Sequence, residues 1–286
     1  MKKKFALVLA ALMMAGTLAA CGGSNDQSAA GSSASTGSAS SAGDSATPTV
    51  DAIKEKGEIV MLTNAQFPPF EYLADDGTVQ GVDPDLAQAV ADKLGVKLKI
   101  VDMDFDGIVT ALKSGKGDFA AAGMTITEER LKEVDFTDEY VTSSQMVIVR
   151  SDSDLDGDKD ALDAALSGKN IAVQQGTTGD WYASGDETTG STIKNANVLQ
   201  FKSAGEAGMN LANGKAAAVI IDQKPAEAIV ASQDGKLKML ETKLTDEQYA
   251  FAVQKGQEDL LAVINEVLAE YKGDKVDELI NKHMGI

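Results

Sequence analysis

Hydrophobic and polar positions divide the chain into three stretches of different character. Residues Phe5 to Ala20 are apolar and uncharged behind Lys2, Lys3 and Lys4, whereas Gly22 to Val50 is almost wholly Gly, Ser, Ala, Thr and Asp, with no apolar period. From Asp51 onward short apolar runs alternate with helical spacing. Ile59 to Thr63 reads as a buried strand. Pro84 to Leu94 carries Leu86, Ala87, Val90, Ala91 and Leu94 on one helical face, with Asp83 as N-cap before a proline in the first turn. Lys97 to Val101 alternates as a strand, Ile108 to Lys113 reads as a helix and Asp118 to Ala122 as a strand. This βαβαβ order predicts a mainly parallel sheet with helices on both faces. A second series follows, with strands at Gln145 to Arg150, Ile171 to Gln174, Val198 to Phe201 and Ala217 to Ile221. Helical stretches at 160–166, 203–212 and 223–231 lie between them. Gln248 to Gln254 reads as one further strand, and helices at 258–271 and 274–283 close the chain. The pattern is two α/β units with a tail, without an internal repeat.

The first stretch has the positive n-region and short apolar core of an export signal, and it is too short for a transmembrane helix of about 20 residues. Leu18-Ala19-Ala20-Cys21 resembles a bacterial lipobox, in which the Cys is lipidated and becomes the mature N-terminus; a plain signal peptide is the alternative. Residues 22–50 cannot offset their ordering entropy and are expected to be a tether spanning about 30 Å as a random coil. Residues 51–286 remain for the fold, enough for two lobes.

Charge and residue inventory exclude several functions. A net charge of −18 disfavours nucleic acid. One Cys and one His rule out a disulfide framework and a Cys/His zinc site. A catalytic triad would have to use His283, close to the chain end in a polar helix. Among 26 basic residues only Arg130 and Arg150 are Arg. A guanidinium grips a carboxylate with two parallel hydrogen bonds, which Lys cannot do. Arg130 follows the strand Asp118 to Ala122, where ligands of open α/β sheets bind, and Thr125 and Thr127 offer hydroxyls beside it. The alternative is an ordinary helix start, with Thr127 capping and Arg130 facing solvent. Arg150 reads as the end of a surface strand.

The stretch 103–149, MDFDGIVTALKSGKGDFAAAGMTITEERLKEVDFTDEYVTSSQMVIV, resembles the polar amino-acid-binding family of solute receptors for ABC importers, the group of the glutamine- and histidine-binding proteins. NAQFPPFEY (64–72), NIAVQQGTTGDWY (170–182) and AAAVIIDQKPAEAIV (216–230) agree in order and spacing. The resemblance implies an α/β fold of the type II periplasmic-binding-protein kind, with two parallel-rich sheets joined by two hinge strands near Tyr140 to Ser144 and Asp246 to Ala250. Residues 1–21 would be the signal with its lipobox and 22–50 the tether. Residues 51–142 and 248–286 would form lobe 1, and 143–247 lobe 2.

By the same resemblance, Arg130 pairs with the ligand α-carboxylate, Thr125 stands beside it, and the backbone of Gly123 approaches the ligand. From the other lobe, Asp222 accepts from the α-ammonium and Thr178 donates to the α-carboxylate; on its own, Asp222 also reads as the N-cap of the helix at 223–231. Phe67 and Phe105 sandwich the ligand side chain, although each alone also reads as core; Trp181 and Tyr182, just after the GTTG turn, read as packing beneath the second-lobe helix, with the rim of the cleft as the alternative. Asn64 stands where binders of cationic amino acids carry Asp, and Gln174 where the glutamine-binding relative carries Lys. The order of ligands is therefore polar uncharged, then cationic, then acidic. The implied partners are an amino acid, an ABC permease and, through lipid on Cys21, the outer face of the cytoplasmic membrane. A monomer without cofactor is expected.

Two rival readings accompany this one. Dehydratase-like cleft enzymes use the same fold; such an enzyme needs a general acid, for which Glu71 is the candidate, although it reads as facing outward from its loop. Asp152, Asp154, Asp156, Gly157, Asp158, Asp160 and Asp163 have the spacing of a calcium loop, but an Asp at the twelfth position, Lys159 at the eighth and a preceding strand favour an acidic surface loop.

Overall fold

A computed structural model describes residues 48–285. The signal, Cys21 and most of the expected tether lie outside the described residues. The last three tether residues do not belong to it: helix α1 (Pro48–Lys56) begins the fold, with Val50 buried. Its first N–H groups, those of Thr49 and Val50, donate to the Asp259 carboxylate at 2.9 and 2.8 Å. A helix start needs such acceptors, and Asp259 supplies one from the far end of the chain.

The chain next forms β1 (Glu58–Thr63), a small sheet of β2 (Gln66–Phe67), β3 (Glu71–Leu73) and β4 (Val79–Gln80), then α2 (Val82–Leu94) and β5 (Lys97–Asp102). It continues through α3 (Ile108–Lys113), β6 (Phe119–Ala120), α4 (Glu128–Leu131) and β7 (Val134–Phe136). Strand β8 (Val141–Ser143) crosses to a second unit of β9 (Gln145–Arg150), α5 (Lys159–Leu166), β10 (Asn170–Gln174), α6 (Thr178–Ala183) and β11 (Asn197–Phe201). That unit ends with α7 (Ala204–Ala212), β12 (Ala218–Asp222), α8 (Gln223–Ser232) and β13 (Leu237–Met239). Strand β14 (Glu247–Tyr249) crosses back to β15 (Ala252–Gln254), α9 (Glu258–Tyr271) and α10 (Asp274–Met284).

The two main sheets share a plan. The first has the order β5-β1-β6-β15-β7, and the second β11-β10-β12-β9-β13. In each, four strands run parallel and one runs against them: β15 is antiparallel to both β6 and β7 in one, and β9 is antiparallel to both β12 and β13 in the other. Each sheet is thus mainly parallel, as the sequence predicts, with a single antiparallel strand, β15 or β9, that enters it directly from a crossing. The crossings β8 and β14 pair antiparallel as a two-stranded hinge, Glu247 opposite Ser143 and Tyr249 opposite Val141. The expected strand 248–254 is therefore two strands. Tyr249 and its neighbours pair with the hinge and Ala252 onward with the first sheet, and the chain changes partner at Ala250 and Phe251.

Helix α2 buries Val82, Leu86, Ala87, Val90, Ala91 and Leu94, each large aliphatic chain stabilising the fold by about 1.5–3 kcal/mol. Asp83 does not cap it, contrary to the sequence expectation. The helix starts at Val82 after Gly81, whose φ of 140° suits glycine and where a Cβ would lie 2.1 Å from the Phe70 carbonyl oxygen. The N–H groups of Val82 and Asp83 are taken by the carbonyls of Pro69 and Phe70. The Asp83 carboxylate is thereby free to turn inward.

Candidate functional site

Segments at or just beyond the carboxyl ends of β1, β5 and β6 in the first sheet, and of β10 and β12 in the second, supply the residues of one site. Between the lobes lies a cavity lined by Phe67, Phe105, Ala122, Gly123, Thr125, Arg130, Gln174, Thr177, Thr178 and Asp222. Of the residues named from sequence, only Asn64 is missing from this wall, and it touches a member of it: Gln174 Nε2 donates to Asn64 Oδ1 at 2.8 Å across the lobes.

Arg130 is held by its local fold. Thr127 caps α4, its hydroxyl oxygen accepting from the Arg130 N–H at 3.1 Å. The cap does not send the side chain to solvent, since Arg130 is only 6% exposed. Nη1 donates to the Thr125 carbonyl at 2.7 Å and Nη2 to the Gly176 carbonyl of the other lobe at 3.2 Å. The guanidinium carbon lies over the rings of Phe105 and Trp181, 5.3 and 5.1 Å from their centroids. Trp181 therefore stacks on the cation and lines the depression beside the cavity, the rim alternative, whereas Tyr182 is buried and donates to Asp163 at 2.7 Å. Burial lowers the Arg130 pKa to about 10, which leaves it charged at neutral pH.

Asp222 occupies the N-cap position of α8 but makes no capping bond with its side chain. Its carboxylate accepts from the Tyr249 hydroxyl and from Ser143 Oγ at 3.3 Å, one group on each hinge strand. Burial first, then the nearby Glu247 charge, raises its pKa to about 7.

Gly123 has a φ of 52°, and a Cβ there would stand 3.0 Å from the Phe67 ring. Its N–H donates to Asp83 at 2.9 Å, and the same Asp83 carboxylate accepts from the Tyr140 hydroxyl at 2.5 Å. Behind them sits Glu71, which is wholly buried and does not face outward as its loop sequence predicts. Strand β3 turns it inward toward Asp83. Burial, then the Asp83 charge, pushes its pKa well above the ordinary carboxylate range, which favours the neutral acid. It does not line the cavity.

Glu247 is the residue that sequence reasoning missed. It lies on β14 and is 8% exposed. Oε2 accepts from Thr125 Oγ1 at 2.7 Å, Thr178 Oγ1 at 2.9 Å and Gln145 Nε2 at 3.4 Å, and Oε1 accepts from Thr245 Oγ1 at 3.0 Å. The available signal was the alternation of EQY, in which Glu247 and Tyr249 are buried and Gln248 is exposed.

The acidic residues of 152–163 are engaged separately. Asp152 pairs with Arg150, Asp158 caps α5, and Asp163 accepts from Tyr182, Thr192 and Lys159. Among the described residues no three His, Cys, Asp or Glu side chains converge as a metal site. His283 faces Asp85 at 2.9 Å and Tyr72 at 3.1 Å on α10, apart from the cavity-lining residues. Among the described residues no helix is long and apolar enough to cross a membrane.

The chain is similar to proteins of known role. It is 37% identical over 175 residues to the arginine-binding extracellular protein ArtP of Bacillus subtilis (strain 168), covering 61% of this chain and 57% of that protein. It is 31% identical to the ABC transporter glutamine-binding protein GlnH of the same organism, over 99% of this chain and 97% of that one. Its fold matches holo ArgBP from T. maritima with a TM-score of 0.70 and 41% identity, over 81% of this chain and 98% of that one. The family model of bacterial extracellular solute-binding proteins, family 3, matches residues 59–286. The chain belongs to that family, with its two-lobed α/β fold of the type II periplasmic kind.

Proposed function

We propose that this protein captures an amino acid between its lobes and delivers it to an ABC importer from the outer face of the cytoplasmic membrane, anchored by lipid on Cys21. The observation that carries the binding reading is the pair of buried charges in one cavity. Arg130 contacts carbonyls and ring faces, and Asp222 contacts hydroxyls, so neither uses the other as its counter-ion. An ion buried without a counter-ion costs several kcal/mol. A zwitterion offsets both costs, its carboxylate meeting the fork of Arg130 and its ammonium meeting Asp222.

The side-chain end of the cavity narrows the ligand class. Phe67 and Phe105 give apolar walls. Gln174 commits its Nε2 to Asn64 Oδ1 and to the Lys202 carbonyl at 3.2 Å, while its buried Oε1 has no partner among the described residues. A buried acceptor left open calls for a donor. The ligand is therefore an amino acid whose side chain donates hydrogen bonds, an amide or a cationic group rather than a carboxylate. A cleft enzyme would need an acid facing the ligand, and Glu71 is wholly buried away from the cavity lining.

Closure is supported by the contacts between lobes: Asn64 with Gln174, Arg130 with Gly176, and Lys202 with Asp104 and Asp106 at 3.2 and 3.3 Å. A ligand that joins the lobes shifts the protein toward the closed form, which is the form an importer would recognise. Calorimetric titration of the protein, unfolded and refolded to strip carried ligand, with each common amino acid tests the reading. Tight binding of amide-bearing or cationic amino acids is expected; binding of none would contradict it.

A further inference from the structure

Glu247 is a buried carboxylate that the zwitterion site does not use directly. It does not line the cavity; it lines a wider depression that shares Thr125 and Thr178 with it. Thr125 belongs to the loop after β6 in the first lobe, where its backbone bridges to Tyr249 of the hinge. Thr178 opens α6 in the second lobe. One oxygen of Glu247 accepts from both hydroxyls, 2.7 Å from the first and 2.9 Å from the second, and Gln145 Nε2 adds a third donor at 3.4 Å.

A carboxylate accepts and a hydroxyl carries one proton, so each of these threonines spends its only proton on Glu247. Toward the cavity the Thr125 hydroxyl then offers lone pairs alone, and the Thr178 hydroxyl offers one, since its other lone pair accepts from Gln145 Nε2 at 3.1 Å. A hydroxyl in that state repels a ligand carboxylate and accepts from a ligand ammonium. For Thr178 this departs from the expectation that it donates to the α-carboxylate, unless its backbone N–H is the donor. The same bond pair ties one element of each lobe to a single atom of the hinge, so it forms only when the lobes approach.

We propose that Glu247 is a positioning residue that turns the Thr125 and Thr178 hydroxyls into acceptors for the ligand α-ammonium and couples their alignment to lobe closure. The inference rests on the amino-acid reading for its first half and on the hinge geometry alone for its second.

The test uses Glu247→Ala and Glu247→Gln, with thermal melts confirming that each folds. Four probes are titrated: L-glutamine, L-arginine and their des-amino counterparts, glutaramic acid and 5-guanidinopentanoic acid. With the ammonium partner disarranged, Glu247→Ala should weaken a bound amino acid about tenfold or more while changing its des-amino counterpart by less than about threefold. Glu247→Gln keeps the shape and one acceptor and should fall between. Equal losses for both probe types would reduce Glu247 to a structural role and overturn the positioning claim. Small-angle scattering of the ligand-free proteins tests the tie between the lobes. A larger radius of gyration for Glu247→Ala than for the parent is expected, and an unchanged one would overturn the coupling. If the parent binds none of the four probes, the ligand reading fails with the positioning claim, and scattering alone decides the coupling.

Discussion

The two charged ends of the cleft are kept ready by different means. Arg130 is surrounded by neutral groups, two carbonyls and two aromatic faces, which orient the guanidinium without neutralising it. Asp222 is surrounded by donors, the hydroxyls of Tyr249 and Ser143, and its pKa is raised to about 7. The cationic end is therefore charged at every physiological pH, whereas the anionic end is half protonated near neutrality. On the proposed reading, such a site would bind through a fixed cation and complete its anion only when an ammonium arrives. The difference makes the two ends separable by experiment.

The largest effect is expected at the fixed end. Arg130→Ala should weaken every amino acid ligand by about 10³-fold or more, because a charge-assisted double hydrogen bond inside a desolvated cleft is lost. The ligand-free melting temperature should not fall, since a buried and unpaired cation is removed. A calorimetric titration beside a thermal melt checks both outcomes, and retained affinity would place the ligand carboxylate elsewhere. Arg130→Lys keeps the charge without the fork and should still lose about tenfold.

The anionic end should show a smaller loss and a pH signature. Asp222→Asn is expected to cost about 10²-fold above pH 8. In the parent, affinity should fall as pH drops below about 7, by up to about tenfold per unit, with proton release on binding; Asp222→Asn should flatten the profile. The ligand-free fold should respond in the opposite sense. The Asp222 and Asp83 pKa values are raised in the folded state, to about 7 and about 6, so the stability that their protonated forms contribute is present below the ordinary carboxylate range. It is lost as pH rises through those values. Melting temperatures of the ligand-free protein measured between pH 5 and pH 8 would reveal this as a decline.

The smallest effect concerns preference rather than affinity. Gln174→Glu replaces the open acceptor with a charged one and should move the ratio of cationic to amide-bearing ligands by about tenfold toward the cation. An unchanged ratio in competition binding would place the ligand side chain away from Gln174.

How much of this was legible in sequence depends on the kind of signal. The helical face of α2 was written in the spacing of Leu86, Val90 and Leu94, and Arg130, one of two arginines among 26 basic residues and the one that follows a strand end, marked the cation. The inward turns of Asp83 and Glu71 were not legible, because the short strand β3 and the carbonyls that start α2 are set by tertiary contacts. The local pattern of Asp before Pro therefore suggested a cap, and the loop FPPFEY an exposed Glu71. Glu247 was hidden for a different reason. Its partners, Thr125 and Thr178, lie 122 and 69 residues away, beyond the reach of any periodicity. The break between β14 and β15 escaped because a run of alternating residues does not reveal that it changes sheets midway.

The central claim is that Arg130 holds the α-carboxylate of an amino acid whose ammonium faces Asp222. Its most direct test is a cycle of four titrations, the bound amino acid and its α-carboxamide, each against the parent and Arg130→Gln. The account predicts that the parent prefers the free acid by about 10²-fold or more and that Arg130→Gln reduces this preference to less than about tenfold. The same preference in both proteins would contradict it.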